Sequence, residues 1–188
     1  MKIKYNAPTV LTFTLICALV LLLDQTIFRR LIETMFMVPG RGTFQARNPF
    51  HWISIFTHVI GHADWPHLIS NFTLILIVGP MLENSYGSKP LLIMIVVTAF
   101  ATGVLNILFF PTYLLGASGV VFMMILLSSF TNFSKGEIPL TFILVLILYM
   151  GVQVLDSFKA DNISQFAHIV GGLCGSFFGF VRIGKNSS

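Results

Sequence analysis

Pro111-Thr112-Tyr113-Leu114-Leu115-Gly116-Ala117-Ser118-Gly119 leads into an apolar run that ends at Phe130. Ser118 to Phe130 is thirteen residues, roughly 20 Å of helix at 1.5 Å per residue, against a hydrocarbon core of about 30 Å. A helix this apolar and this short starts inside the bilayer. The segment from Pro111 to Ala117 is then a non-helical entry at membrane depth, tolerable where protein surrounds it or water reaches it. The stretch therefore predicts an internal aqueous cavity with Ser118 at its floor.

The rest of the chain has the composition of an integral membrane protein: 188 residues, 55% apolar and 10% charged. Apolar runs separated by polar or Gly/Pro-containing breaks predict six helical spans, at 8–28, 67–84, 90–110, 118–131, 138–155 and 164–182, because lipid leaves no other open structure satisfied. The expected fold class is an all-α membrane protein, a single transmembrane domain over 1–188 with a partly embedded first loop. The start of the chain, Lys2 and Lys4 before an apolar run, is similar to a signal peptide, but no small-residue cleavage site precedes Asp24-Gln25, so it reads as the first span. Cys17 and Cys174 lie in apolar runs and suggest no disulfide. The net charge of +4 is scattered, which argues against a nucleic-acid partner and fits contact with anionic lipid. Basic residues divide six against five between the two sides of the membrane, so charge leaves the topology open.

The first connection, residues 29–66, carries Trp52, Trp65 and several Phe, a mixture suited to the lipid–water interface. It reads as a gate or platform facing a substrate, or as an interfacial anchor.

Ser118 has two readings. One is a helix N-cap, its hydroxyl satisfying a free backbone N–H. The other is a nucleophile whose oxyanion is stabilised by backbone N–H groups and the positive end of the helix dipole. Gly116 and Gly119 permit a tight turn and close approach of a substrate backbone, which a cap does not require. His168 lies in Ala167-His168-Ile169-Val170-Gly171-Gly172-Leu173-Cys174-Gly175. At 100° per residue, His168, Gly172, Gly175 and Gly179 share one stripe, a face with almost no side-chain bulk that packs closely on a neighbour. If that neighbour is the helix starting at Ser118, the imidazole reaches Oγ and can take its proton. Alternatively His168 is bonded to a carbonyl in a packing helix. No Asp or Glu is placed to orient it, so a Ser-His dyad fits better than a triad, and Phe122, one turn after Ser118, is a candidate ring to abut the imidazole.

His67 and Asn71 are one helical turn apart and could donate hydrogen bonds to an oxyanion. Metal is the competing reading, with His58 and His62 at i, i+4 and Asp64 or His67 nearby, but the His-Glu-x-x-His signature is absent and no metal or other cofactor is expected. Glu83 and Asp24-Gln25 sit at ends of predicted spans, where structural roles fit.

Taken together, these residues make the chain resemble the rhomboid family of intramembrane serine proteases. The resemblance runs through His67-x-x-x-Asn71, Glu83 before Gly87-Ser88, Gly116-x-Ser118-Gly119 and Ala167-His168-x-x-Gly171. It implies a six-helix core with both termini cytoplasmic, in a bacterial inner membrane, Ser118 as nucleophile and His168 as base. It also implies His67, Asn71 and the Ser118 N–H around the oxyanion, Gly116, Gly119, Phe122, Gly171 and Gly172 in support, and single-span membrane proteins as substrates. Many members have Tyr at the position of Phe122, and Ile53-Ser54 stands where a Trp-Arg pair is often found. No extra cytoplasmic domain or seventh helix is expected, and oligomeric state is left open. Two alternatives belong to other classes: a binding module that retains client membrane proteins without cutting them, and a metal-handling membrane protein.

Overall fold

The structure is a computed structural model that describes residues 4–130, 140–145, 147 and 162–185. Its helices are α1 (Pro8–Thr26), α2 (Leu31–Met35), α3 (Pro49–Thr57), α4 (Trp65–Tyr86), α5 (Ser88–Phe109), α6 (Ser118–Ser128), α7 (Leu140–Val145) and α8 (Asn162–Lys185). Among the described residues, β pairing is confined to an isolated antiparallel bridge between Val38 and Leu114. The fold is all-helical as expected. Most of the predicted fifth span, 138–155, lies outside the described residues.

α1, α4 and α5 are long and apolar enough to cross a membrane. Their 19, 22 and 22 residues give about 29–33 Å of helix, close to the hydrocarbon thickness. Each buries one face and leaves the other apolar and exposed: Leu15, Leu19 and Leu22 on α1, Ile69, Leu76 and Ile77 on α4, Ile93, Val97 and Phe100 on α5. In water such surfaces would be a liability; here they are the lipid-facing side of the bundle. α6 differs. Val120 to Met124 and Leu126-Leu127 are all buried, so this short helix stands inside the bundle, packed on α4, α5 and α8.

Local chemistry sets the helix ends. Pro8 and Pro49 open α1 and α3 at positions where a missing N–H costs nothing. The Asn48 side chain accepts from Phe50 N at 3.0 Å, and Asp64 Oδ1 accepts from His67 N at 2.7 Å to start α4. Gly87, at φ +90° and ψ 157°, takes an extended positive-φ conformation that is open chiefly to glycine and breaks the chain between α4 and α5. α1 has no cap of its own from Ala7. Buried Glu83 supplies it from α4, accepting from Thr9 N at 2.8 Å and Val10 N at 3.0 Å. The partner missing from the sequence reading of Glu83 is thus the start of the first helix.

The first connection is partly helical, holding α2 and α3. Asp24 Oδ1 accepts from Ile32 N at 2.9 Å, and Gln25 accepts from the Trp65 indole at 2.8 Å, so the end of α1 is bonded to both ends of the loop. The loop's outer face carries exposed Phe50, Trp52, Ile53 and Phe56, an apolar band suited to the interface. Its inner face meets α5 at Gly103, where a Cβ would lie 2.6 Å from the Ile55 carbonyl.

Candidate active site

The entry to α6 shows how irregular backbone is accommodated at depth. Val38 and Leu114 exchange both backbone hydrogen bonds at 2.9 Å, Arg41 N donates to Phe110 O at 2.6 Å, and Asn106 Nδ2 donates to Thr112 O at 3.0 Å. Gly116 N donates to His58 O at 2.9 Å, and Ala117 N points at His62 Nε2 at 3.4 Å. Protein rather than lipid therefore satisfies the segment, as membrane depth demands.

Gly116 sits at φ +112°, a conformation costly for any residue with a Cβ. A Cβ there would also lie 2.7 Å from His67 Cε1 and 2.8 Å from Nε2, so the His67 ring lies directly over this glycine. The turn delivers the chain into α6 with Ser118 as its first helical residue. The N-cap position belongs to Ala117, and no side chain caps the helix. This removes the cap reading of Ser118. Helix geometry leaves the first-turn N–H groups, Ser118's included, without intrahelical acceptors, so donors and the positive dipole end gather around a part-exposed hydroxyl.

α8 closes the other side. Gly171 lies so near Gly119 that a Cβ on it would fall 2.0 Å from the Gly119 carbonyl oxygen; one on Gly175 would meet Met123 O at 2.2 Å, and one on Gly179 the Phe130 ring at 2.4 Å. The packing row is thus Gly171, Gly175, Gly179. Gly175 and Gly179 belong to the stripe read from 100° steps, and Gly171 adds to it a contact that the stripe did not include. Gly172 is buried and its carbonyl accepts from Ser176 Oγ. The closest rows of facing helices follow i, i+4 ridges rather than lines parallel to the axis. On this seam Phe122 stacks on the His168 imidazole, ring centroids 4.2 Å apart and planes 10° from parallel, the abutment expected of that ring.

The loop histidines have jobs that the sequence did not reveal. His62 is fully buried, and its Nδ1 faces Ile60 O at 3.1 Å. Two donors, Asn71 Nδ2 at 3.1 Å and Ala117 N at 3.4 Å, converge on its Nε2, which must therefore carry the lone pair. His58, also buried, directs Nδ1 at Ser54 O and Ile55 O and Nε2 at Thr102 Oγ1. Burial holds both rings neutral, with pKa values pushed down to about 4. Their nitrogens are thus turned to protein partners, and among the described residues no three His, Cys, Asp or Glu side chains gather as a metal site. Asn71, a candidate oxyanion donor, spends one N–H on His62; its Nδ2 lies 3.9 Å from where a Gly116 Cβ would stand. Nothing in the spacing of His62 and Asn71 marks this pairing, since it depends on how the loop folds back over α4.

An open recess of about 360 Å³ descends beside these groups, from Asp24, Arg30 and Glu33 to His62 and Leu115. Arg30 and Glu33 pair across its rim at 2.7 Å. The structure thus gathers His67, Asn71, Gly116, Ser118 and Gly119 at one helix start, with Phe122, His168 and Gly171 along the seam beneath it.

Comparison with known proteins identifies relatives of the chain. A family model described as the Rhomboid domain matches residues 49–185. The chain is 27% identical over 183 residues to the rhomboid protease GlpG of Haemophilus influenzae, covering 94% of this chain and 93% of that one. It is 28% identical over 139 residues to the rhomboid protease GluP of Bacillus subtilis, 71% of this chain but 26% of that protein. It is also 25% identical over 152 residues to the chloroplastic rhomboid-like protein 11 of Arabidopsis thaliana, 79% of this chain and 51% of the other.

Proposed function

Because the chain belongs to the rhomboid family, we propose that this integral membrane protein is an intramembrane serine endopeptidase with a Ser118–His168 dyad. Ser118 Oγ attacks the scissile carbonyl while neutral His168 takes its proton. The tetrahedral oxyanion is held by the Ser118 N–H, the second Asn71 amide proton and His67. Collapse of the intermediate breaks the peptide bond as His168 passes the proton to the leaving amine, giving an acyl-enzyme. Water, deprotonated by His168, then attacks the ester carbonyl and releases the new carboxyl end with Ser118 restored. The substrates are transmembrane segments of other membrane proteins, cleaved in a bacterial inner membrane by a six-helix core. The recess beside Leu115 supports a route for the water.

One observation carries the reading: an uncapped, membrane-depth helix start at Ser118 lies on a glycine seam where an aromatic ring stacks on His168. A cap or a lipid-facing histidine would need neither. The test compares wild type with Ser118→Ala and His168→Ala, scoring fluorophosphonate labelling and cleavage of a model transmembrane substrate. Labelling vanishes in Ser118→Ala, and cleavage falls by about 10⁴-fold or more in both variants. Cleavage by Ser118→Ala that persists in the presence of chelator rejects the dyad. Unchanged retention of client proteins by that variant, with no cutting by wild type, identifies a binding module instead.

A further inference from the structure

A groove of about 440 Å³ runs between α1 and α5 and is roofed by the end of α3. Its walls are Phe13 and Ile16 of α1 and Leu92 and Val96 of α5, and Phe56 and Val59 close it from above. Its mouth is different in kind: Thr9, Thr12 and Ser88, all near the first turns of their helices. The groove follows α5 from Ser88 to Ala99, roughly 16 Å of helix, about half the 30 Å hydrocarbon core. It is therefore one leaflet deep, polar at the membrane surface and apolar toward the midplane.

Among the described residues, two lysines flank the mouth along the chain. Lys89 follows Ser88 at the start of α5, and Lys4 precedes Tyr5, whose hydroxyl bonds Thr12 Oγ1 at 2.9 Å. Both lysines are exposed, and the ion pair found among the described residues, Arg30–Glu33, includes neither of them. The nearby acid, Glu83, has both oxygens committed to the start of α1. Among the described residues no carboxylate pairs with either lysine, and an apolar slot one leaflet long beneath two such cations matches one class of occupant: a lipid with a long acyl chain and an anionic headgroup. We propose that this groove holds one acyl chain of an anionic glycerophospholipid from the leaflet around the N-terminus, with the phosphate between Lys4 and Lys89. Thr9, Thr12 and Ser88 lie at the glycerol level. The lipid fills the gap that α3 leaves under the first connection and thereby supports that loop from below.

The full chain, reconstituted in phosphatidylcholine vesicles, tests the proposal with trace phosphatidylglycerol bearing a photoreactive acyl chain; a parallel arm uses phosphatidylcholine with the same chain. Labelled peptides are mapped by mass spectrometry. The phosphatidylglycerol probe labels α1 between Thr9 and Ile16 and α5 between Ser88 and Ala99 in preference to the lipid-facing side of α4 at Ile69 and Ile77. Lys4→Gln combined with Lys89→Gln lowers groove labelling by that probe at least about fivefold, the attraction of a single lysine for an anionic surface, and leaves the phosphatidylcholine probe unchanged. Ile16→Trp, which fills the open side of the groove, lowers labelling by both. Equal labelling of the groove and α4 overturns the proposal, as does groove labelling indifferent to the two lysines. Retained groove labelling in Ile16→Trp overturns it too.

Discussion

Where α6 begins it meets α8 on one side and the first connection with α4 on the other, and the two contacts are made from opposite materials. Toward α8 the contact is absence: Gly119, Gly171 and Gly175 bring two backbones together with nothing between them. Toward the loop it is hydrogen bonding: His58 O, His62 Nε2 and Val38, joined by Asn106 of α5, take up the polar groups of an unwound segment. A helix that starts inside a membrane needs both. Closeness sets where a side chain from the neighbouring helix can reach, and polar ligation lets the chain stop being helical before it begins α6.

The seam should be the harder of the two to alter. Gly171→Val places atoms inside the Gly119 carbonyl. Overpacking on rigid backbone predicts a loss of more than about 3 kcal/mol and no detectable cleavage, checked by thermal unfolding in detergent and turnover of a transmembrane substrate. Normal turnover by this variant would mean the helices are not packed as described.

Acid attacks the other contact. His58 and His62 have folded pKa values lowered to about 4 from an ordinary 6.5. The unfolded chain therefore binds protons first as pH falls: stability is complete above about pH 6.5 and declines toward pH 4, by up to about 1.4 kcal/mol per pH unit for each ring and less where solvent reaches it. Unfolding followed from neutral to acid pH should show that decline, and His62→Gln should flatten it. An unchanged slope in that variant would mean that His62 is not held neutral.

A direct cut at the same contact is His62→Ala, which strands Asn71 Nδ2 and the Ala117 N–H. A cost of about 1–3 kcal/mol is expected, with reduced kcat, because the turn into Ser118 loosens. Wild-type stability would remove His62 from the support of that turn. The smallest effect belongs to the stack. Phe122→Leu should lower kcat about tenfold while costing about 1 kcal/mol or less, and Phe122→Tyr, which keeps the ring, should not. Equal kcat in Phe122→Leu would detach the ring from the positioning of His168.

Much of this architecture is legible in the residues. Apolar run lengths locate α1, α4, α5 and α8 within a few residues, and the shortness of the run after Ser118 predicts a helix that starts at depth. The glycines around His168 announce a close approach, and Phe122 is placed correctly because one helical turn is a local relation. What resists reading is long-range or a matter of phase. The seating of Gly171 against Gly119 depends on the crossing of two helices, which no single helix encodes. The bond of Asn71 to His62 depends on the loop's path, and the short helices α2 and α3 are concealed in a connection of mixed polarity. Glu83 can be recognised as a structural residue at the end of a span, but its donors are backbone N–H groups with no signature in the side-chain sequence.

That carboxylate gives the chain an order of assembly. α1 leaves the ribosome first, yet the acceptor for its Val10 N–H is 73 residues further along. A nascent chain can therefore insert α1 into the bilayer long before the helix is finished. Its opening turn lacks these acceptors until α4 has been synthesised and its end brought back beside the start of α1. For this helix insertion and folding are separate events, and the later one joins the start of α1 to the end of α4.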